Sequence, residues 1–147
     1  MIGDARTLQY WEYKKGELQK TFESEELGGD ISRVTISGTG DKASVFLSAK
    51  TQIKGFTKRG KDFFKLESSH TETITHLQVV GQELWSTGKQ TLNCYQSADS
   101  RIVDKYYYIA EDEINHMGVA QIGTEGMAVI AVLDKIRVIG SNGKMLY

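Results

Sequence analysis

With 147 residues, 39% of them hydrophobic and 25% charged, the chain has the composition of an ordinary globular protein and the length of one domain. Its longest apolar run, Met127 to Leu133, falls far short of the roughly 20 residues a bilayer helix needs, and no basic stretch followed by an apolar core opens the chain, so neither a spanning helix nor a signal peptide is expected. A net charge of −1 gives no general drive toward nucleic acid, and the single cysteine, Cys94, excludes an internal disulfide framework and fits a reducing compartment.

Met1 to Ala5 reads as a strand end with a turn at Gly3-Asp4. Leu8, Tyr10 and Trp11 then open an aromatic strand, and Leu18 to Phe22 returns after the Lys14 to Glu17 turn. The acidic, glycine-bearing run Glu23 to Asp30 is a solvated connection. Ile31, Val34 and Ile36 mark a strand that stops at Gly38 to Asp41, and Ala43 to Ala49, apolar on both sides, reads as buried. A hairpin follows, Thr51 to Phe56 and Asp62 to Leu66, with Gly60 supplying the positive φ of its turn. Those four strands make one meander.

The next unit repeats the order. Thr73 to Val80 is its first strand, Gly81-Gln82 a turn, Glu83 to Ser86 the second, Gly88-Lys89 a turn, Thr91 to Tyr95 the third and Val103 to Ile109 the fourth, across a loose Ser97 to Ser100 loop. Glu111 to Glu113 crosses to Ile114 to Ile122, Gly123 to Gly126 turns into Met127 to Leu133, and Lys135 to Ile139 with Met145 to Tyr147 ends the chain inside a fourth strand. Fifteen glycines and no proline provide the punctuation.

Equivalent hairpin glycines at 16, 60 and 143, with the Ser97 to Ser100 turn between the last two, give a repeat of about 40 residues built from short strands, the signature of β-propeller blades. The expected fold is therefore all-β, a partial β-propeller of about three and a half four-stranded antiparallel blades, in pieces near 1–22, 31–66, 73–109 and 114–147. A ring needs at least about four blades, so two sheet faces would be left uncovered. The expectation is a segment of a longer chain, or one that pairs with a second copy.

Chemistry is hard to find. His70, His76 and His116 stand apart at no metal-ligand spacing, and Cys94 has no CxxC partner, so no metal, cofactor or catalytic residue is expected. Gly38-Thr39-Gly40 precedes a strand rather than a helix and is no phosphate cradle. Ser32, Thr35, Thr75 and Gln78, on first strands, are the only hints of an inward polar centre. The feature to follow is basic: Lys54, Lys58, Arg59, Lys61 and Lys65 fall within twelve residues on one hairpin. They suit anionic lipid headgroups or an acidic partner; the simpler reading is a solvated edge whose charges discourage sheet-to-sheet aggregation. Tyr106-Tyr107-Tyr108, Trp11 and Trp85 suit either a partner surface or, more simply, packing between blades.

The runs YKKGELQKTF (13–22), QIKGFTKRGKDF (52–63), ESSHTETI (67–74) and YYYIAEDEIN (106–115) resemble the amino-terminal β-propeller of the Bardet-Biedl syndrome protein 7 family, over residues from about Ile2 to Asn115. Its most specific part is Gly55 to Lys61. The resemblance implies a non-enzymatic scaffold subunit of the BBSome, the ciliary cargo-adaptor complex, in ciliary membrane-protein trafficking. It implies pairing with the second and ninth Bardet-Biedl syndrome proteins, recruitment to membranes by an Arf-like small GTPase, membrane-protein cargo, and a place in the cytoplasm, cilium, basal body and, peripherally, ciliary membrane. It carries over no catalytic or binding residue. The repeat alone also allows a propeller-type recognition module of another coat or signalling complex.

Overall fold

The computed structural model describes residues 6–98 and 101–147. Gly3-Asp4, and Asp99 and Ser100 of the loose loop, lie outside the described residues. Thirteen strands are described, in four antiparallel sheets whose strand order follows the chain. The first holds β1 (Gln9–Lys14) and β2 (Glu17–Glu23). The second holds β3 (Ile31–Ser37), β4 (Ser44–Ala49), β5 (Gln52–Thr57) and β6 (Asp62–Glu67). The third holds β7 (His76–Val80), β8 (Glu83–Gly88), β9 (Thr91–Ala98) and β10 (Arg101–Ile109). The fourth holds β11 (Ile114–Ile122), β12 (Glu125–Val132) and β13 (Lys135–Gly140). Beyond β13, Leu146 donates to the Val138 carbonyl at 2.7 Å and Val138 to Tyr147 at 2.8 Å, the start of a fourth strand as expected.

The sheets stack face to face because their inner strands carry apolar residues on both sides. Val45 and Leu47 of β4 meet Leu8, Leu27 and Phe22 of the first unit, while Phe46 between them turns to the third sheet. Ile53, Ile74, Leu77, Leu84 and Tyr95 fill the second junction, and Trp85, Leu92, Cys94, Ile114, Ala128, Ile130 and Val132 the third. Fully burying one such aliphatic side chain contributes about 1.5–3 kcal/mol, so each junction is a core in its own right.

A repeated hydrogen bond ties each connection to the sheet it leaves. Leu27 donates to the Arg6 carbonyl at 2.9 Å, Ile74 to Lys50 at 2.9 Å and Ile114 to Lys89 at 2.8 Å. Lys50 and Lys89 hold positive φ angles of 55° and 49° at the β4–β5 and β8–β9 turns. The three donors are buried, so the same bond that anchors the connection also seats its apolar side chain in the next junction.

Five expectations need correction. The Glu23 to Asp30 connection is not simply solvated, because Leu27 is buried in the first junction, and β9 runs on through Ser97 and Ala98, two positions of the expected loose loop. The third sheet begins at His76, not Thr73, because Ile74 and Thr75 are already engaged by Lys50 and by the Thr87 carbonyl, at 2.7 Å from Thr75 N. Gly88 is no turn residue: it ends β8, Lys89 takes the left-handed conformation, and a Cβ on Gly88 would lie 2.9 Å from His70 Nδ1. Gly126 likewise lies buried within β12, where a Cβ would come within 2.0 Å of Glu83 Oε2. Both glycines are required by close packing between elements far apart in sequence.

The end faces differ from the interior. On β1–β2, Trp11, Tyr13 and Leu18 are 49%, 72% and 67% exposed, and on the fourth sheet Val129 and Ile136 also face outward.

Candidate interaction surface

The β5–β6 hairpin carries the basic residues. Its turn is closed by Gly60 N to the Thr57 carbonyl and Thr57 N to the Lys61 carbonyl, both 2.9 Å, with Lys61 N also donating to Thr57 Oγ1 at 3.1 Å. Gly60 adopts φ 83° as expected, and a Cβ there would also strike the Phe22 ring at 2.8 Å, so the turn leans on the first sheet. That lean decides the fate of Lys58. Its ammonium donates to Asp41 and lies 3.6 Å from Glu12, leaving the side chain 16% exposed. The Asp41 carboxylate holds the Lys58 ammonium above its ordinary range, and Lys58 in turn holds the Asp41 carboxyl below its own.

The five basic residues therefore do not form one patch. Arg59 and Lys61 project from the tip. Lys54 and Lys65 are direct register partners further down the strands, on the face that carries Leu47, where they line a cleft with Lys50. Sequence spacing could not separate these groups, because the division depends on Asp41 and Glu12.

The polar hints on first strands are mostly structural ties. Ser32 Oγ meets Ser48 Oγ at 2.9 Å, Thr75 Oγ1 meets Thr87 Oγ1 at 3.1 Å, and Gln78 accepts from Val119 N at 3.0 Å while donating to the Val119 carbonyl at 3.3 Å. His70, buried, bridges Thr91 Oγ1 at 2.7 Å and Ser86 Oγ at 2.8 Å, and burial pushes its pKa down to about 4. It is a neutral knot that ties the β6–β7 connection to the third sheet. His76 and His116, distant in sequence, approach to 6.0 Å between ring centroids across β7 and β11. Among the described residues no group of three His, Cys, Asp or Glu is placed to hold a metal ion. Burial pushes the Cys94 thiol up to about 12, so it is a packing residue rather than a nucleophile.

The aromatics divide. Trp85 is wholly buried, packs edge-to-face on Tyr106 at 5.6 Å and donates its Nε1–H to Glu83 Oε2 at 3.2 Å. Glu83 is itself paired with Lys105. Tyr107 and Trp11 face solvent, and Lys20 lies 5.9 Å from the Trp11 ring centroid. This polar knot at Glu83 carried no local sequence signal.

Stacked antiparallel sheets tied at each connection are the arrangement of propeller blades. Comparison of sequences decides the family: the model of the BBS7 β-propeller matches residues 1–146. The chain belongs to the BBS7 β-propeller family. A curated relative, mouse BBSome complex member BBS7, is 35% identical over 104 residues, which is 69% of this chain and 14% of the relative. The chain thus spans about a seventh of that protein's length. Among solved structures, Saccharomyces cerevisiae Sqt1 superposes with a TM-score of 0.78 over 97% of this chain and 42% of its own, at 11% identity. The computationally designed Ika4 protein gives 0.55 over 82% and 72%, at 17% identity. At those identities the likeness is one of fold. Membership in the BBS7 family and the partial-propeller architecture agree with the sequence reading.

Proposed function

We propose that the chain is part of a non-enzymatic scaffold subunit of a BBSome-type assembly, acting in ciliary membrane-protein trafficking. The observation that carries this reading is the family match over residues 1–146. The arrangement of side chains suits the role. The buried polar groups His70 and Glu83 and the half-buried Gln78 are each engaged in ties between elements of the stack, which favours a rigid body whose surfaces do the work.

In this reading the partners are the second and ninth Bardet-Biedl syndrome proteins, an Arf-like small GTPase acts indirectly in recruitment, and membrane-protein cargo is carried between cytoplasm, basal body and cilium. Contact with the ciliary membrane is peripheral. No helix among the described residues is long and apolar enough to cross a bilayer. Engagement of Lys58 leaves Arg59 and Lys61 at the hairpin tip, and two charges at about 1 kcal/mol each give only weak attraction to anionic lipid.

The test is co-expression with the second and ninth subunits from the same source. Co-purification as a stoichiometric complex is expected. Stable capture by an unrelated coat or signalling complex, with no binding to those two, would replace the reading with a propeller-type recognition module of another assembly.

A further inference from the structure

Lys54 and Lys65 face each other as register partners across β5 and β6. Direct partners hold their Cβ atoms about 5 Å apart, where like charges destabilise a sheet. A third lysine joins them. Lys50, left-handed at the β4–β5 turn, lays its stem along Gly29 and lines the same cleft, whose lining also includes Glu26, Gly28 and Thr51. Among the described residues none of these three ammonium groups has a carboxylate within 4.0 Å. Glu26, the one acid in the lining, is already held by Arg6 at 2.9 Å. Elsewhere the fold pairs Lys14, Lys20, Lys58, Lys89 and Lys105 with acids. Lys15, Lys42, Lys61, Lys135 and Lys144 have no such pair among the described residues, so what sets Lys50, Lys54 and Lys65 apart is that they share one cleft. The contrast is local: one hairpin neutralises Lys58 near its tip and leaves Lys54 and Lys65 opposed at its base.

We propose that this cleft is a docking site for an acidic peptide segment of a partner protein, with side-chain carboxylates seated among Lys50, Lys54 and Lys65. Charge complementarity carries the proposal, and shape selects the occupant. Lys54 is half-buried in a recess between the β2–β3 connection and the sheet, which an extended chain can enter. A flat bilayer meets exposed groups, Arg59 and Lys61 at the tip and Lys50 and Lys65 beside the cleft, but does not reach into the recess that holds Lys54.

Anisotropy of a fluorescent poly-glutamate peptide, titrated with the chain at low ionic strength, tests this. Binding is expected to fall as salt rises, to weaken about tenfold in K50Q/K54Q/K65Q and to stay within about twofold in R59Q/K61Q. The melting temperature supplies a second readout. K65Q alone is expected to melt higher than the wild type without peptide, and to gain less from added peptide. Absence of peptide binding by the wild type, equal loss in R59Q/K61Q, or capture of the chain by phosphatidylserine vesicles through these lysines while the peptide fails would each overturn the proposal. Subunit co-purification is a separate measurement, so its failure leaves this outcome intact.

Discussion

Two junctions of the stack bury polar groups in opposite ways. Between the second and third sheets the group is His70, neutral and bridged by two hydroxyl residues, Thr91 and Ser86. Between the third and fourth it is Glu83, charged, paired with Lys105, bonded by Trp85 Nε1–H and pressed against Gly126. A buried group must either shed its charge or find its countercharge, and adjacent junctions of one fold do each. The first solution makes a junction sensitive to acid. The second makes it sensitive to geometry.

The comparison breaks most sharply at Gly126. A methyl group 2.0 Å from Glu83 Oε2 and 3.1 Å from Trp85 Cζ2 moves the carboxylate tip off its Trp85 bond, the Lys105 contact being made by the other oxygen, so Gly126→Ala should cost about 3 kcal/mol, read as a fall in the urea midpoint at constant m-value. Acid tests the other junction. The folded pKa of His70, about 4, lies below the ordinary 6.5, so the unfolded chain binds the extra proton between those values. Stability from this site is complete above about pH 6.5, declines as pH falls toward 4, and levels off below, for a total near 3 kcal/mol. In His70→Gln that part of the acid loss should vanish, measured as the difference between the two pH–stability curves.

Smaller effects sharpen the picture. Lys105→Met strands the Glu83 carboxylate, but Lys105 is about a third exposed, so water offsets part of the loss and about 2 kcal/mol is expected in denaturant unfolding. Thr91→Val leaves His70 Nδ1 without its partner at about 1 kcal/mol, with the acid response retained. A loss at Lys105 no larger than at Thr91 would show that the charged junction is no more demanding than the neutral one.

Much of the fold was legible because its signals are local. The turn at Gly60, the alternation through Val45, Phe46 and Leu47, and the repeat near 40 residues all lie within windows that a chain can be read in. What escaped depends on neighbours from other blades. Gly88 and Gly126 looked like turn punctuation, yet one makes room for His70 and the other for Glu83, 18 and 43 residues away. The basic hairpin looked like one patch until Asp41 and Glu12 claimed Lys58. His70 stood apart in the sequence because nothing near it announces Ser86 and Thr91 as its partners.

The Gln78 side chain, holding both the amide and the carbonyl of Val119, imitates one rung of a ladder between strands that belong to different sheets. Sliding the fourth sheet by a single residue would turn the next peptide group the opposite way and leave both ends of that amide empty. Gln78 thus works as an index pin, fixing how far one vane is displaced along its neighbour, where greasy surfaces alone would permit several settings.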